Sequence, residues 1–265
     1  MLKRFAMLVF LALAVIRADA REYTDVYYDT AEPGWGVFLI QSDTAQFLAF
    51  FIYGADGKPV WYTAQLTDDG TGNFAGALYA ITGTYFLNPW QGYNIAAAGT
   101  AKFQPSDPYH ATLTYTVNGA GTVTKSIVRQ TLTPYPMAGN YSGSMAGTIS
   151  ACSDPASNDP AFRARYGLAV SQTGDQSVLL TFTFVDQVHS GIVCTVSGPL
   201  SHFGRLYQVA AQMTCAGPGA NFGPIPITLQ QLHPTGQGIE GHLSGTTGGG
   251  CMSSLHFAAV NNGGQ

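Results

Sequence analysis

Charged residues are scarce in this chain. Only 10% of its 265 residues are Asp, Glu, Lys or Arg, against about 25% in an average soluble protein. Long surface helices need Glu, Lys and Arg on their solvent face, so the shortage argues against a helical protein. It also argues against disorder, which combines high charge with low hydrophobicity, because 46% of this chain is hydrophobic. Frequent Tyr, Phe and Thr together with Gly and Pro is typical of compact antiparallel β-structure.

The N-terminal segment has the pattern of a signal peptide. Lys3 and Arg4 precede an apolar run from Phe5 to Ile16, and Ala18-Asp19-Ala20 fits the small-residue cleavage pattern. The run has twelve residues, whereas a helix that spans a bilayer needs about 20. We therefore predict that residues 1–20 are a signal peptide and that the mature chain starts at Arg21. The mature protein would be secreted or periplasmic, without a transmembrane segment.

A positive surface is missing as well. Removal of residues 1–20 leaves 8 basic and 14 acidic residues, which is a formal net charge of −6. Nucleic acids and anionic lipids both require a cationic surface. Neither is expected as a partner.

Cysteine is absent from the first half of the chain. All four cysteines lie in the second half, at 152, 194, 215 and 251, and an even number in an exported chain predicts disulfides. Three pairings are possible. Cys194 and Cys215 fall on neighbouring predicted strands with their side chains toward the apolar face, so we predict that they pair. Cys152 and Cys251 would then join the first and last strands of the same domain.

The spacing of apolar stretches and turns predicts two β domains. From Trp35 onward, turn residues recur every 8 to 12 residues or so, as in sandwiches and barrels. Two prolines in Thr133-Pro134-Tyr135-Pro136 cannot join a central strand, so residues 134–136 are interpreted as a linker. The prediction is an all-β protein with two tandem antiparallel domains, 21–133 and 137–265. Each half supplies about eight sequential strands, for which an up-and-down barrel is the first choice and a β-sandwich the alternative.

The clearest hairpin lies in the first domain. Predicted strands Gln46–Gly54 and Pro59–Thr67 flank an Asp-Gly pair that suits a tight turn. The first of these strands is apolar on both faces. One face should be core, and the other should meet a partner, a second layer or the other domain.

A resemblance is carried by the residues around this hairpin. Gly34-Trp35-Gly36, followed by the stretch from Phe50 to Tyr62 with its Tyr-Gly-Ala-Asp-Gly-Lys-Pro-Val-Trp-Tyr sequence, resembles a signature of uncharacterised secreted bacterial proteins. The resemblance covers mainly residues 33–66. It implies export and a β-rich fold, and it brings no activity and no functional residues.

Sequence signals of catalysis are few. The chain has no G-x-S-x-G motif, its cysteines are assigned to disulfides, and many of its acids sit in turns, where Asp caps its own backbone. The glycine runs at 217–219 and 248–250 precede no predicted helix, so they are interpreted as turns and not as phosphate loops. We predict no catalytic residue and no cofactor.

Two histidines form a candidate metal pair. If residues 248–250 are the turn between the last two strands, His242 lies opposite His256, and two imidazoles could share a divalent ion. Strand parity places both histidines on the polar side with Glu240, which favours a plain surface pair. No metal site is predicted.

Aromatic residues of the first domain carry the ligand-binding hypothesis. They are more numerous than one barrel centre needs, and stacked rings can hold sugars or other planar ligands. The predicted contacts are Trp35, Tyr53, Trp61, Tyr62, Tyr115 and Arg129, the last only if it faces inward. A three-residue turn at 119–121 pairs Tyr115 with Lys125 and directs both Lys125 and Arg129 inward, whereas a two-residue turn directs both outward. Both registers stay open.

These signals predict an exported, non-catalytic protein that captures a small molecule or glycan with aromatic side chains. A structural envelope or surface protein without a ligand is one alternative. An enzyme such as a glycan hydrolase is the other, and it would need a cleft that gathers at least two ionisable groups.

Overall fold

The computed structural model describes residues 22–263. Within this range the protein is all-β, with sixteen antiparallel strands in two closed eight-stranded barrels. Helix in this range is limited to short 3₁₀ segments at Pro155–Ser157 and Gly248–Gly250, and no helix there is long and apolar enough to cross a bilayer. The predicted fold class is confirmed. The predicted signal peptide, residues 1–20, lies outside the described residues.

The first barrel is an up-and-down ring in which each strand pairs with the next. Its strands are β1 Asp25–Tyr28, β2 Gly36–Ser42, β3 Ala45–Tyr53, β4 Pro59–Asp68, β5 Phe74–Gly83, β6 Tyr93–Pro105, β7 His110–Val117 and β8 Gly121–Arg129. Two residue pairs between β1 and β8, Tyr27 with Arg129 and Tyr28 with Val128, close the ring. The hairpin predicted from the Asp-Gly turn is confirmed as β3 and β4.

The second barrel repeats this topology over a longer stretch of chain. Its strands are β9 Gly139–Ser150, β10 Asp159–Thr173, β11 Ser177–Phe184, β12 Val193–Phe203, β13 Leu206–Gly217, β14 Ala220–Pro234, β15 Gly238–Thr246 and β16 Met252–Asn261. Ten residue pairs between β9 and β16 close this ring. Residues 130–138, which include Pro134 and Pro136, connect the two barrels.

Alternation of side chains along the strands produces the two cores. On β7, Ala111, Leu113 and Tyr115 are buried while the threonines between them are partly exposed, as period-two ordering requires. Each barrel encloses its own apolar cluster. Both begin with the same tether: the Tyr27 hydroxyl donates to the Tyr23 carbonyl at 2.9 Å, and the Tyr141 hydroxyl donates to the Met137 carbonyl at 2.8 Å.

One end of each barrel forms the seam between them. We call the seam the contact between Asp25, Tyr109 and Arg129 of the first barrel and Gly204, Arg205, Tyr207 and Gln231 of the second. The Tyr109 hydroxyl donates to the Tyr207 carbonyl at 3.4 Å and accepts from the Gln231 amide at 2.9 Å. Burial raises the pKa of Tyr109 to about 12, so this hydroxyl remains a donor at neutral pH. Because strands alternate in direction, each barrel has strand connections at both of its ends. The seam residues lie at one end, and the connections at the opposite end point away from the seam.

Candidate functional site

Two of the predicted ligand contacts fill the first barrel. Trp35 and Tyr115 are buried, their ring planes lie 24° apart with centroids at 6.4 Å, and the Trp35 indole N–H donates to the Tyr115 hydroxyl at 3.4 Å. Phe50 meets Tyr115 edge to face at 5.3 Å. The structure therefore places Trp35 and Tyr115, two of the predicted ligand contacts, in the core of the first barrel. Trp35 is 8% and Tyr115 is 6% exposed, so little of either ring is accessible.

The register of β7 and β8 differs from both predicted alternatives. The connecting loop comprises residues 118–120, and Tyr115 pairs with Val123 while Leu113 pairs with Lys125. The three-residue turn predicted at 119–121 would place Tyr115 opposite Lys125, two residues further along β8 than the observed partner. Because the shift is an even number of residues, the side chains of β8 face the same way as in that alternative. Lys125 and Arg129 both face inward. Lys125 forms an ion pair with Glu32 and lies 5.9 Å from the centre of the Trp35 ring.

Arg129 belongs to the seam and not to a ligand site. Its side chain is fully buried and pairs with the Asp25 carboxylate at 2.9 Å. Its remaining N–H groups donate to the carbonyls of Pro108 at 2.8 Å, Thr24 at 3.2 Å and Glu22 at 2.6 Å. Four contacts inside the protein occupy most of the guanidinium donors. Arg129 was predicted to supply charge to a ligand if it faced inward; it does face inward, and its charge is paired with Asp25.

The second barrel completes the environment of this ion pair. The Arg205 amide donates to the Asp25 carboxylate at 3.3 Å. Gly204 adopts a φ of +61°, and a Cβ atom there would lie 2.2 Å from the same carboxylate. Only glycine suits both the backbone conformation and the contact, so the β12–β13 turn is shaped to fit against Asp25.

The other three predicted contacts do not converge. Tyr62 faces inward and packs, partly buried, against the first core. Tyr53 and Trp61 lie on the outer wall, with side chains 57% and 59% exposed. Phe51 joins this wall and meets Trp61 edge to face at 4.8 Å. The structure thus divides the predicted set among the core, the seam and the outer wall, and it does not assemble one site from them.

A cavity that sequence reasoning did not find lies in the second barrel. We call it the cup: a space of about 300 Å³ at the end of the barrel opposite the seam, among the β9–β10, β11–β12, β13–β14 and β15–β16 connections. Its walls are mainly apolar, and their large side chains are Met145, Ile149, Phe162, Phe182, Phe184, Ile192, Val196, Met213, Phe222, Leu243 and Leu255. Small residues at Gly219, Ala220 and Gly248 leave the space open.

Both disulfides border the cup. Cys194 lies opposite Cys215 in the β12–β13 pairing, and Cys152 pairs with Cys251 beside the β15–β16 connection. The two predicted pairings are present, and three of the four residues, Cys194, Cys215 and Cys251, contribute to the lining. One disulfide joins β12 to β13, and the other joins the β9–β10 connection to the β15–β16 connection. Both indicate an oxidising environment.

One polar pair stands at the mouth of the cup. His189 contributes to the lining, and its Nδ1 lies 2.8 Å from the Asp186 carboxylate. Burial acts to raise the pKa of Asp186, but hydrogen bonds from the His189 backbone and ring and from the Arg165 amide outweigh it and lower the pKa to about 2. The His189 ring also packs on Phe162 at 5.2 Å. The carboxylate fixes the ring orientation, which leaves Nε2 as the second polar atom of the imidazole.

The predicted histidine pair lies outside the cup. His242 pairs with His256 across β15 and β16, as predicted, and the rings stack at 4.3 Å on the outer surface. Among residues 22–263 no group of three or more His, Cys, Asp or Glu side chains could hold a metal ion.

A larger groove on the outside of the second barrel is less suited to an apolar ligand. It has a volume of about 460 Å³, and its charged side chains include Glu22, Arg205, His233 and Glu240. Arg205 pairs with Glu22, and His233 lies 3.1 Å from Glu240. The charges in this groove are therefore already engaged with each other.

The sequence matches no known family model and no curated protein.

Proposed function

We propose that this protein is exported and binds a small apolar molecule in the cup of its second barrel. The cup itself carries the proposal, because eight-stranded barrels are just wide enough to enclose one small ligand. Export is supported by the signal-peptide pattern of residues 1–20 and by the two disulfides. The prediction of a binding protein is kept, and its site moves from the first barrel to the second.

The size and lining of the cup set the ligand class. An apolar cavity of roughly 150 Å³ holds benzene, so about 300 Å³ suits a two-ring aromatic compound or a medium-length acyl chain. A glycan would need many hydrogen-bond partners, and the cup has few. The Thr247 and Ser253 hydroxyls, both in the lining, are 2.8 Å apart and bond to each other. His189 is placed to contact a single polar group of the ligand.

Binding is tested with the fluorescent apolar probe N-phenyl-1-naphthylamine. We expect saturable fluorescence enhancement with the intact protein and its loss in Ala220→Phe, where a ring enters the cup. Ala216→Phe is the matched control, because Ala216 is exposed on the outer face of β13. Loss of binding in Ala220→Phe alone would support the cup. Equal binding by both variants, or no saturable binding by the intact protein, would refute it.

A further inference from the structure

The β5–β6 hairpin extends beyond the wall of the first barrel. The β4–β5 pairing ends at Tyr62 with Ala80, and the β6–β7 pairing begins at Gly99 with Val117. Residues from Ile81 to Ile95 pair only with each other, as Ile81 with Ile95 and Gly83 with Tyr93. We call residues 81–97 the ribbon. It lies at the end of the first barrel opposite the seam, and none of its residues is buried.

The ribbon is both exposed and apolar. Its large apolar side chains are Ile81, Tyr85, Phe86, Leu87, Trp90, Tyr93 and Ile95, and all are exposed, with Phe86 at 83% and Trp90 at 70%. It lies within a stretch from Gly70 to Ala101 that contains no Asp, Glu, Lys, Arg or His. Monomeric proteins rarely expose a patch of this kind without a binding role.

The tip of the ribbon is ordered by its own hydrogen bonds. The Asn88 amide donates to the Tyr85 carbonyl at 2.9 Å, which closes a turn with Phe86 and Leu87 at its centre. Behind this turn, the Thr84 amide donates to the Gly92 carbonyl at 3.2 Å, and the Gln91 amide donates to the Thr84 hydroxyl at 2.9 Å. These backbone groups are satisfied within the loop, so burying the tip in an apolar phase leaves them paired.

The order of side chains along the tip matches the layers of a bilayer surface. The purely apolar Phe86 and Leu87 occupy the turn, while the amphipathic rings of Trp90 and Tyr93 lie on the returning arm. Tyr and Trp favour the headgroup level of a membrane, and apolar side chains favour the level below it. We propose that the ribbon is a peripheral membrane anchor that inserts its tip into the interface of a zwitterionic lipid bilayer.

Charge and shape favour a bilayer over a protein partner. A 32-residue stretch without charge offers no ion pairs to the polar rim that surrounds most protein interfaces. The ribbon is a narrow projection, and a protein would need a matching groove, whereas a bilayer interface admits apolar side chains to a depth of roughly 5–10 Å. The net charge of −6 on residues 21–265 disfavours anionic lipid, so the expected surface is zwitterionic.

The outer wall beside the ribbon continues the apolar surface. Phe38, Phe51 and Trp61 form a row across β2, β3 and β4, with neighbouring rings at 4.8 Å. Phe51 and Trp61 lie in the part of β3 and β4 that is nearer the ribbon end. Phe51 belongs to the second apolar face of β3, which the sequence predicted to meet a partner, a second layer or the other domain.

Vesicle binding tests the proposal. The full protein is sedimented with phosphatidylcholine vesicles at low and high salt, with and without phosphatidylglycerol. We expect binding to phosphatidylcholine alone, little affected by salt, and a loss of roughly 100-fold or more in Phe86→Ser/Trp90→Ser. Val260→Thr is the control, since it removes an exposed apolar side chain on β16 of the second barrel; it should bind within about twofold of the parent protein.

Fluorescence tests the depth of insertion. In a Trp61→Phe variant, Trp90 is the one exposed tryptophan, since Trp35 is buried. Its emission should shift to the blue with vesicles and be quenched by lipids with brominated acyl chains. No shift, no binding to phosphatidylcholine, or equal binding by the double variant would overturn the proposal. So would a dimer in sedimentation velocity that depends on Phe86 and Trp90 while vesicles are not bound, because the occupant would then be a second copy.

Discussion

Replacement of Arg129 by Met should strongly destabilise the first barrel. The change keeps an unbranched side chain but leaves the buried Asp25 carboxylate without its cation, and three carbonyls lose a donor. Breaking a buried ion pair by removing one partner costs about 3–5 kcal/mol, a large share of the 5–15 kcal/mol that is typical of a whole domain. Asp25→Asn/Arg129→Met should cost less than the sum of the two single changes.

Lys125→Met is the matched control for this prediction. Lys125 also faces inward on β8, but its side chain is 16% exposed and its partner Glu32 is 51% exposed, so its loss should cost less than about 1 kcal/mol. All three tryptophans lie in the first barrel, so tryptophan fluorescence during guanidinium denaturation reports on that barrel. If Arg129→Met costs no more free energy of unfolding than Lys125→Met, the role assigned to the seam ion pair is wrong.

Three further predictions concern the second barrel and the seam. The pKa of Asp186 is lowered in the folded state, so its stabilising contribution is present above the unfolded pKa of about 3.9 and is lost as pH falls toward 2. Asp186→Asn should therefore reduce the loss of melting temperature between about pH 4 and pH 2. An unchanged loss in the variant would contradict this. Replacement of Cys152 and Cys251 by Ser should lower the free energy of unfolding by about 5 kcal/mol, and replacement of Cys194 and Cys215 by about 3 kcal/mol, because the loops that the two disulfides close span 99 and 21 residues. Denaturant titration compares the two variants. The reverse order would count against the loop-entropy argument. Gly204→Ala should lower the melting temperature more than Gly174→Ala. Both glycines have positive φ, but an added Cβ atom would meet the Asp25 carboxylate at Gly204 and nothing within 4 Å at Gly174. Equal losses would mean that the contact with Asp25 does not affect stability.

Much of the fold follows from side-chain alternation. The pairing of His242 with His256 depends only on one turn and strict counting along two strands, and the same parity argument places Cys194 against Cys215. The β7–β8 register escaped prediction because the glycines around residue 120 permit several loop lengths of similar cost. The observed loop, residues 118–120, has the same length as the three-residue turn predicted at 119–121 but lies one residue earlier. This displacement shifts the pairing by two residues, so Lys125 keeps its inward orientation.

The division of the aromatic residues could not be predicted from composition. A ring that fills a barrel and one that holds a ligand have the same sequence signature, and only the three-dimensional packing of Trp35 against Tyr115 separates them. The cup is equally hidden, because it arises where small residues such as Ala220 meet at one barrel end from distant parts of the chain. The ribbon did leave a signal: the absence of charge from Gly70 to Ala101 was visible in the sequence.

An even number of strands returns the chain of each barrel to the end where it started. Asp25 and Arg129, the outer limits of the first barrel, therefore meet at the seam, as do Gly139 and Asn261 at the corresponding end of the second. Four connections per barrel are left at the far poles. Insertions in these connections would change the surface of either pole while the junction between the barrels stays unaltered.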